Sequence, residues 1–360
     1  MRVMIAGGGT GGHVIPALAI AGALKSAYNA EICFLGTARG METRLVPQAG
    51  YPLELIDVGQ LNRVSRATQL KTLVALPRGI LHTFGLLRRW QPNVVVGVGG
   101  YASGPGMLAA LLQRVPTLAF EPNAIPGMAN RFIGKRITAA AVNFAPTMAY
   151  FRNAEVTGIP VRAEFFTLPP RSTGAAPHLL VMGGSQGARA LNQRMPEVAA
   201  VLLAAVPGLT ILHQAGARHA ETTQAAYAAS GAPADRWKVQ AFLEDMPKQF
   251  AASDLILARS GASTVAELAA SGKPSLLVPF PQAADDHQRK NAEVLVEGGA
   301  ARMLLEQDMS AGELLKVLTA LLTDRERLRE MSARVRTYAH PLAAARIAEM
   351  AAALAPSSLR

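Results

Sequence analysis

Residues 3–13 read Val-Met-Ile-Ala-Gly-Gly-Gly-Thr-Gly-Gly-His, and this stretch decides the fold class. A short apolar run leads into glycines, and an Ala- and Leu-rich segment over residues 16–27 follows it. This order predicts a strand, a tight loop and a helix that has Pro16 near its first turn. Residues 31–36 predict a second strand. A strand–helix–strand unit of this kind implies a parallel sheet covered by helices.

The same pattern recurs further along the chain. Residues 94–98 are all apolar or Gly and predict a strand buried on both faces. Residues 179–188 repeat the apolar run and glycine loop of the N-terminus, so we predict an α/β chain with two similar units in tandem. The boundary is expected between Pro160 and residues 167–177, which are rich in Pro, Gly, Ser and Thr.

Charge is distributed unevenly along the 360 residues. The chain carries a net charge of +11, and residues 1–160 contain 15 basic but only 6 acidic side chains. A basic half of this kind suggests an anionic partner such as a membrane surface, a phosphate group or a nucleic acid. Aromatic residues make up only 5% of the chain, which disfavours the base-stacking surfaces of nucleic-acid-binding proteins.

Cysteine content and hydropathy exclude further classes. The single cysteine, Cys33, excludes a disulfide framework and a multi-cysteine zinc site. No convincing signal peptide is present, and the uncharged residues 90–113 are interrupted by Pro92 and Pro105, which predicts strand, turn and helix instead of a membrane span. We therefore expect a cytosolic protein that touches a membrane from that side.

His13 ends the first glycine loop, where a parallel strand leads into a helix. Ligands of α/β proteins bind at this edge of the sheet, and a histidine can take a proton from a sugar hydroxyl near neutral pH. The spacing of residues 7–13 is not the dinucleotide-binding motif and lacks the lysine of a P-loop. His13 is thus a candidate general base, with a structural histidine as the alternative.

Two later loops carry further candidates. Ser185 lies in the second glycine loop, ahead of a helix N-terminus that suits a diphosphate. Glu267 lies one turn inside a helix that follows the third loop, where a carboxylate can accept hydrogen bonds from ribose hydroxyls or simply stabilise the helix start. Residues 285–288 read Asp-Asp-His-Gln, and their spacing favours recognition of sugar hydroxyls over a metal site.

Residues 70–90 alternate apolar side chains with Lys and Arg at roughly helical spacing. Packing against the sheet explains much of this pattern, and a basic-rimmed apolar patch would also bind anionic lipid. Both interpretations stay open from the sequence.

Four loops together indicate a protein family far more specifically than any one of them does. They are GGTGGH at residues 8–13, GGYASG at 99–104, GGSQGA at 183–188 and SGASTVAE at 260–267. In this order they resemble the MurG family of peptidoglycan glycosyltransferases, along essentially the whole chain. The resemblance implies a GT-B fold, in which two Rossmann-like domains face each other across a cleft. It also implies inverting transfer of N-acetylglucosamine from UDP-N-acetylglucosamine, with no cofactor and no bound catalytic metal.

The implied acceptor is the C4 hydroxyl of N-acetylmuramic acid in undecaprenyl-diphospho-muramoylpentapeptide (lipid I), and the product is lipid II. Residues 1–160 would bind acceptor and membrane, with a C-terminal helix at residues 342–355 packed back on them. Residues 161–341 would bind the nucleotide sugar. The resemblance implies a peripheral protein on the cytoplasmic face of an anionic membrane, and it leaves other proteins of cell-wall synthesis open as partners.

Residue roles follow from the same resemblance. The catalytic candidates are His13 as base, with Tyr101 and Glu121 near the acceptor. Leu243 would contact uracil through its backbone, Glu267 the ribose, and Arg162 with Ser185 the diphosphate. The remaining residues expected at UDP-N-acetylglucosamine are Thr10, Gly11, Gly12, Asn123, Ala262, Ser263, Thr264, Val265 and Gln288.

The chain departs from the family at residues 120–123, which read Phe-Glu-Pro-Asn where relatives commonly have His-Glu-Gln-Asn. Phe120 cannot act as acid or base, and Pro122 removes a backbone donor. At residues 286–288 some relatives have Gln in place of His287, which leaves either His287 or Gln288 as the sugar contact. Two other functions remain in competition: a related diacylglycerol-type glycosyltransferase, and a non-catalytic nucleotide-sugar-binding protein.

Overall fold

The computed structural model describes residues 1–57, 66–169, 171, 174–184 and 186–356, and of residues 66–76 the backbone alone. The chain divides into two compact units, Met1–Pro160 together with the tail from Leu342, and Val161–Pro341. Each unit is built around one sheet whose strands are all parallel.

The sheet of the first unit has seven strands in the order β3-β2-β1-β4-β5-β6-β7. The strands are β1 (Arg2–Gly7), β2 (Glu31–Gly36), β3 (Leu53–Leu55), β4 (Val94–Gly99), β5 (Thr117–Glu121), β6 (Ala139–Val142) and β7 (Ala154–Val156). The helices among them are α1 (Gly11–Tyr28), α2 (Glu42–Gln48), α3 (Arg66–Trp90), α4 (Ser103–Leu112) and α5 (Met128–Ile133), with a 3-10 helix at Ala145–Tyr150.

The sheet of the second unit has six strands in the order β10-β9-β8-β11-β12-β13. They are β8 (His178–Met182), β9 (Thr210–Gln214), β10 (Trp237–Gln240), β11 (Leu255–Ala258), β12 (Ser275–Leu277) and β13 (Arg302–Met303). The helices are α6 (Arg189–Ala205), α7 (Ala220–Ala229), α8 (Met246–Ala252), α9 (Ala262–Ser271), α10 (His287–Glu297), α11 (Ala311–Thr323) and α12 (Arg325–Arg336), with 3-10 helices at Ala163–Phe165, Ala284–Asp286 and Glu306–Asp308.

Apolar strands explain why both sheets lie inside their units. Residues 3–6 of β1, residues 94–98 of β4 and all of β11 are buried, as strands covered by helices on both faces must be. The prediction of an α/β chain with two Rossmann-like parallel-sheet domains is confirmed.

Helix α1 begins earlier than the sequence rule indicates. The rule favours proline in the first turn, yet α1 begins at Gly11 and keeps Pro16 inside the helix. Pro16 has no N–H to give to Gly12, so one helical hydrogen bond is lost. Burial of the helix face that includes Ile20 and Leu24 compensates for this loss. As a result, Gly11, Gly12 and His13 form the first helical turn.

Strand order fixes where the loops meet. In the first sheet the chain leaves β1 in one direction and later returns to its other side at β4, so the loops after β1 and β4 are neighbours at the switch point. In the second sheet β8 and β11 are related in the same way. Ligands of open parallel sheets bind at such points, beyond the carboxyl ends of the strands.

The tail ends in α13 (Ala343–Leu354), which packs on α1 and on β4, β5 and β6 of the first unit. Ile347 and Ala348 are buried in this contact. At its edge the guanidinium of Arg346 donates to both carboxylate oxygens of Glu155, at 2.5 and 2.7 Å, which lowers the pKa of Glu155.

Candidate functional site

The first glycine loop lies against the loop that follows β4. Gly8 donates its N–H to the carbonyl oxygen of Gly99 at 3.2 Å. Gly100 has a φ of +82°, and a Cβ on it would overlap the carbonyl oxygen of Gly8, so only glycine fits there. The N–H groups of Gly11 and Gly12 lie in the first turn of α1, where they have no acceptor inside the helix. The structure thereby brings Thr10–Gly12 next to the start of the GGYASG loop.

His13 is oriented by the end of β4. Its Nδ1 lies 3.0 Å from the carbonyl oxygen of Val98, and Gly99 packs so closely on the ring that a Cβ there would come within 2.8 Å of it. A carbonyl oxygen only accepts, so Nδ1 carries the proton and the lone pair of the neutral ring is on Nε2. With its lone pair on Nε2, a neutral His13 can accept a proton as a general base does.

Glu121 ends β5 and is 3% exposed. One carboxylate oxygen accepts the backbone and side-chain N–H of Asn123, both at 3.1 Å, and the other accepts the backbone N–H of Gly127 at 3.1 Å and Asn130 Nδ2 at 2.9 Å. Burial raises the pKa of Glu121, whereas these hydrogen bonds lower it. The contacts indicate that Glu121 holds the loop that carries Asn123, and its contact with an acceptor stays a prediction.

Tyr101, the other residue expected near the acceptor, follows the two glycines after β4 and is 41% exposed. Thr10 is also exposed, and Asn123 is half-buried. These three side chains belong to loops after β1, β4 and β5, three neighbouring strands of one sheet. The structure therefore places them at the same sheet edge, and their contacts with substrate stay predictions.

In the second unit, the glycine loop after β8 packs on the end of β9. Gly187 has a φ of +73°, and a Cβ on it would overlap the carbonyl oxygen of Ala215. Ser185, the predicted diphosphate contact, lies outside the described residues. The loop leads into α6, whose first N–H groups have no acceptor inside the helix.

Gln214 is a residue that the sequence analysis missed. It is 3% exposed, its Nε2 donates to the carbonyl oxygen of Gly184 at 2.9 Å, and its Oε1 accepts the N–H of Leu243 at 3.1 Å. One amide thus joins the second glycine loop to the segment predicted to bind uracil. The signal that could have found it is a polar residue at the carboxyl end of a buried strand, two positions before Gly216.

Helix α9 carries the predicted ribose contact. Gly261 precedes it, the side chains of Ala262, Ser263 and Thr264 in its first turn are half-buried, and Val265 is buried. Burial raises the pKa of Glu267 to about 7, and the positive charge of Arg162 acts in the opposite direction. Arg162 precedes a 3-10 helix that packs on α9, and its guanidinium lies 5.2 Å from the ring centre of Phe165.

The raised pKa predicts a stabilising variant. The carboxyl of Glu267 titrates at about 7 when folded and near 4.5 when unfolded, so its ionisation costs stability above pH 7 and this cost fades as the pH falls toward 4.5. We expect Glu267→Gln to raise the free energy of unfolding by about 2 kcal/mol at pH 8, and by about a quarter of that at pH 5. Urea unfolding at the two pH values measures this, with exposed Glu221→Gln as control; equal gains at both would contradict it.

Gln288 is the second residue of α10, and its Oε1 accepts the N–H of Phe280 at 3.0 Å. The carbonyl oxygen of Gln288 accepts from Ser260 Oγ at 2.8 Å, which ties α10 to the third loop. His287 donates from Nδ1 to the carbonyl oxygen of Ala284 at 2.7 Å. These contacts orient the Gln288 amide, and its contact with the donor sugar stays a prediction.

Among the described residues, no group of three or more His, Cys, Asp or Glu side chains is arranged to hold a metal ion. In the same part of the chain, no helix is long and apolar enough to cross a membrane.

Comparison with known proteins decides the family. The model for the glycosyltransferase family 28 N-terminal domain matches residues 3–142, and the model for the family 28 C-terminal domain matches residues 178–347. The chain belongs to glycosyltransferase family 28. Both glycine loops and Glu267 lie inside the matched ranges.

Named family 28 relatives cover nearly the whole chain. The UDP-N-acetylglucosamine–N-acetylmuramyl-(pentapeptide) pyrophosphoryl-undecaprenol N-acetylglucosamine transferase of Anaeromyxobacter dehalogenans (strain 2CP-C) is 44% identical over 97% of this chain and 92% of its own. The protein of the same name from Solibacter usitatus is 43% identical over 96% and 94%. The identification with the MurG family is confirmed.

Solved structures of glycosyltransferases have the same fold as this chain. The crystal structure of Acinetobacter baumannii MurG superposes with a TM-score of 0.84 and 34% sequence identity, over 98% of this chain and 99% of that one. The kitacinnamycin glycosyltransferase, at 17% identity and a TM-score of 0.69, covers 99% of each chain and shows the shared fold alone.

Proposed function

We propose that this glycosyltransferase moves N-acetylglucosamine from UDP-N-acetylglucosamine to the C4 hydroxyl of N-acetylmuramic acid in lipid I, which gives lipid II. The observation that carries this proposal is the 44% identity, over 97% of the chain, to a transferase named for this donor and acceptor. The contact of His13 Nδ1 with the carbonyl oxygen of Val98 supports His13 as the base.

The transfer is a displacement at C1 of the donor sugar. Nε2 of His13 takes the proton of the C4 hydroxyl, and the oxygen attacks C1 from the face opposite UDP. The bond from C1 to the phosphate oxygen breaks, its electron pair leaves with UDP, and the anomeric configuration inverts. The N-terminal N–H groups of α6, together with Ser185 and Arg162, would stabilise the charge that develops on the diphosphate.

We assign recognition of the nucleotide to the second unit, Val161–Pro341. Since the N–H of Leu243 is donated to Gln214, the carbonyl oxygen of Leu243 is the group that would accept the N3–H of uracil. Cytosine has no hydrogen at N3, so this contact would select uracil. The carboxylate of Glu267 would accept hydrogen bonds from both ribose hydroxyls, and Ala262–Val265 would line the site.

Product analysis tests this proposal. The protein is incubated with UDP-N-acetylglucosamine and a short-chain lipid I analogue, and the product is examined by mass spectrometry and NMR. We expect the acceptor to gain one N-acetylhexosamine, joined at C4 with inverted configuration. A retained anomeric configuration, or addition at another hydroxyl, would overturn the mechanism.

We also propose that the first unit binds the anionic cytoplasmic surface of the membrane that holds the acceptor. Helix α4 packs between α3 and α5, and each of the three carries a large exposed apolar side chain: Leu81 at 70%, Leu112 at 61% and Phe132 at 71%. Arg88 and Arg136 are exposed on α3 and beside α5. Apolar side chains rimmed by arginines bind the interface of an anionic bilayer.

Removing two of these apolar side chains tests the surface. We expect Leu81→Ser combined with Phe132→Ser to lower binding to phosphatidylglycerol vesicles by about tenfold or more, because less apolar surface enters the bilayer. Co-sedimentation with vesicles measures this, and pure phosphatidylcholine is the uncharged comparison. Val201→Ser, which changes a 55% exposed side chain on α6, is the matched control. Unchanged binding of the double variant would exclude this surface.

A further inference from the structure

Glu42 is a buried acid that the proposed reaction does not use. It is the first residue of α2, and its side chain is 1% exposed. One carboxylate oxygen accepts the N–H of Gly9 at 2.6 Å, and the other accepts the N–H and the hydroxyl of Thr37, both at 3.0 Å. All three donors are uncharged, and Gly9 belongs to the first glycine loop.

Three glycines leave space for this carboxylate, because each lacks a side chain that would meet it. A Cβ on Gly8 or Gly40 would overlap the carboxylate, and a Cβ on Gly36 would come within 2.7 Å of Cγ of Glu42. The loop and α2 are joined a second time, because the N–H of Met41 donates to the carbonyl oxygen of Gly9 at 3.1 Å. The local sequence has thus left space for one carboxylate, at the base of the loop that ends in His13.

We propose that Glu42 is a positioning residue for the first glycine loop: its carboxylate fixes Gly9 and thereby sets the placement of Thr10–Gly12 and His13. This inference rests on the proposed function, which gives that loop its role in sugar transfer. The geometry requires an acid, because the donors approach both oxygens. Glutamine would place an NH₂ group against either Gly9 or Thr37, and aspartate is one methylene too short.

The direct test is amide hydrogen exchange on the full chain. In Glu42→Ala we expect the peptide spanning residues 7–14 to exchange about tenfold faster or more, because the N–H of Gly9 loses its acceptor. The matched control is Glu54→Ala, the same change at an exposed position of β3. Unchanged exchange in Glu42→Ala would overturn the proposal, whether or not the chain transfers sugar.

Kinetics then connect the loop to the reaction. We expect kcat with UDP-N-acetylglucosamine and a lipid I analogue to fall about 100-fold in Glu42→Ala, since a misplacement of about 1 Å has effects of this size. The Kd for UDP is expected to stay at the wild-type value, because UDP is assigned to residues 161–341. Faster exchange with an unchanged kcat would overturn the role in transfer, whereas an inactive wild-type chain would contradict the proposed function instead.

A double-mutant cycle with Gly40 separates positioning from general damage. The added Cβ of Gly40→Ala would displace the carboxylate, so we expect this variant to lower kcat when Glu42 is present. The three atoms nearest to that Cβ all belong to the carboxyl group of Glu42, so in the Glu42→Ala background we expect no further loss. Additive losses in the double variant would show that Gly40→Ala acts without Glu42 and would contradict the proposal.

Discussion

Replacing His13 with alanine is expected to lower the turnover number by about 10²–10⁴, the contribution of a positioned general base. The reason is geometric: the contact of Nδ1 with the carbonyl oxygen of Val98 leaves the lone pair on Nε2. The Kd for UDP should stay close to the wild-type value, because His13 lies in the first unit. Single-turnover rates and calorimetric titration with UDP measure the two quantities.

Imidazole in the buffer supplies the control for this prediction. A small base that enters the space left by His13→Ala should restore part of the rate, and more of it as the pH rises and imidazole loses its proton. The same concentration should leave the wild-type rate unchanged. A turnover number within a few fold of wild type in His13→Ala would exclude His13 as the base.

Replacing Glu267 with alanine is expected to raise the Kd for UDP by about 10- to 100-fold, because hydrogen bonds from ribose hydroxyls to a carboxylate would be lost. Because the pKa of Glu267 is raised to about 7, the affinity for UDP should also depend on pH. The wild-type affinity should fall as the pH drops from 8 to 6, since the protonated acid has lost acceptor capacity. Titration of Glu267→Ala with UDP should show a smaller fall than the wild type does.

A modified ligand makes this prediction specific to the ribose. Wild-type protein should bind UDP more tightly than 2′-deoxy-UDP, and Glu267→Ala should lose this preference. Glu221→Ala, at an exposed position on α7, is the matched control and should bind both ligands as wild type does. If Glu267→Ala still prefers UDP over its deoxy form, the ribose assignment is wrong.

Hydrophobic pattern and glycine placement were enough to predict the fold. The apolar residues 94–98 form β4, and the glycines at residues 7–9 follow β1, because a buried strand and a tight turn each leave a strong local pattern. The start of α1 was placed too late. The preference of proline for a first turn is a local rule, and burial of the helix on the sheet outweighs it.

The site was only partly predictable. The glycine loops and Glu267 stand in recognisable motifs, but Glu42 and Gln214 act through contacts with residues about 30 positions away. No spacing in the sequence reports such contacts, because they depend on which strands become neighbours. The buried state of Glu121 was equally hidden, since a single polar letter after a strand does not show whether it points outward.

Acceptor choice is the most direct test of the central claim that this chain makes lipid II. UDP release from UDP-N-acetylglucosamine is measured in two parallel tubes, one with a short-chain lipid I analogue and one with diacylglycerol. We predict release in the first tube only, and its loss in His13→Ala. Release with diacylglycerol alone would keep the fold and the donor site but contradict the cell-wall function, and no release in either tube would contradict transfer from this donor.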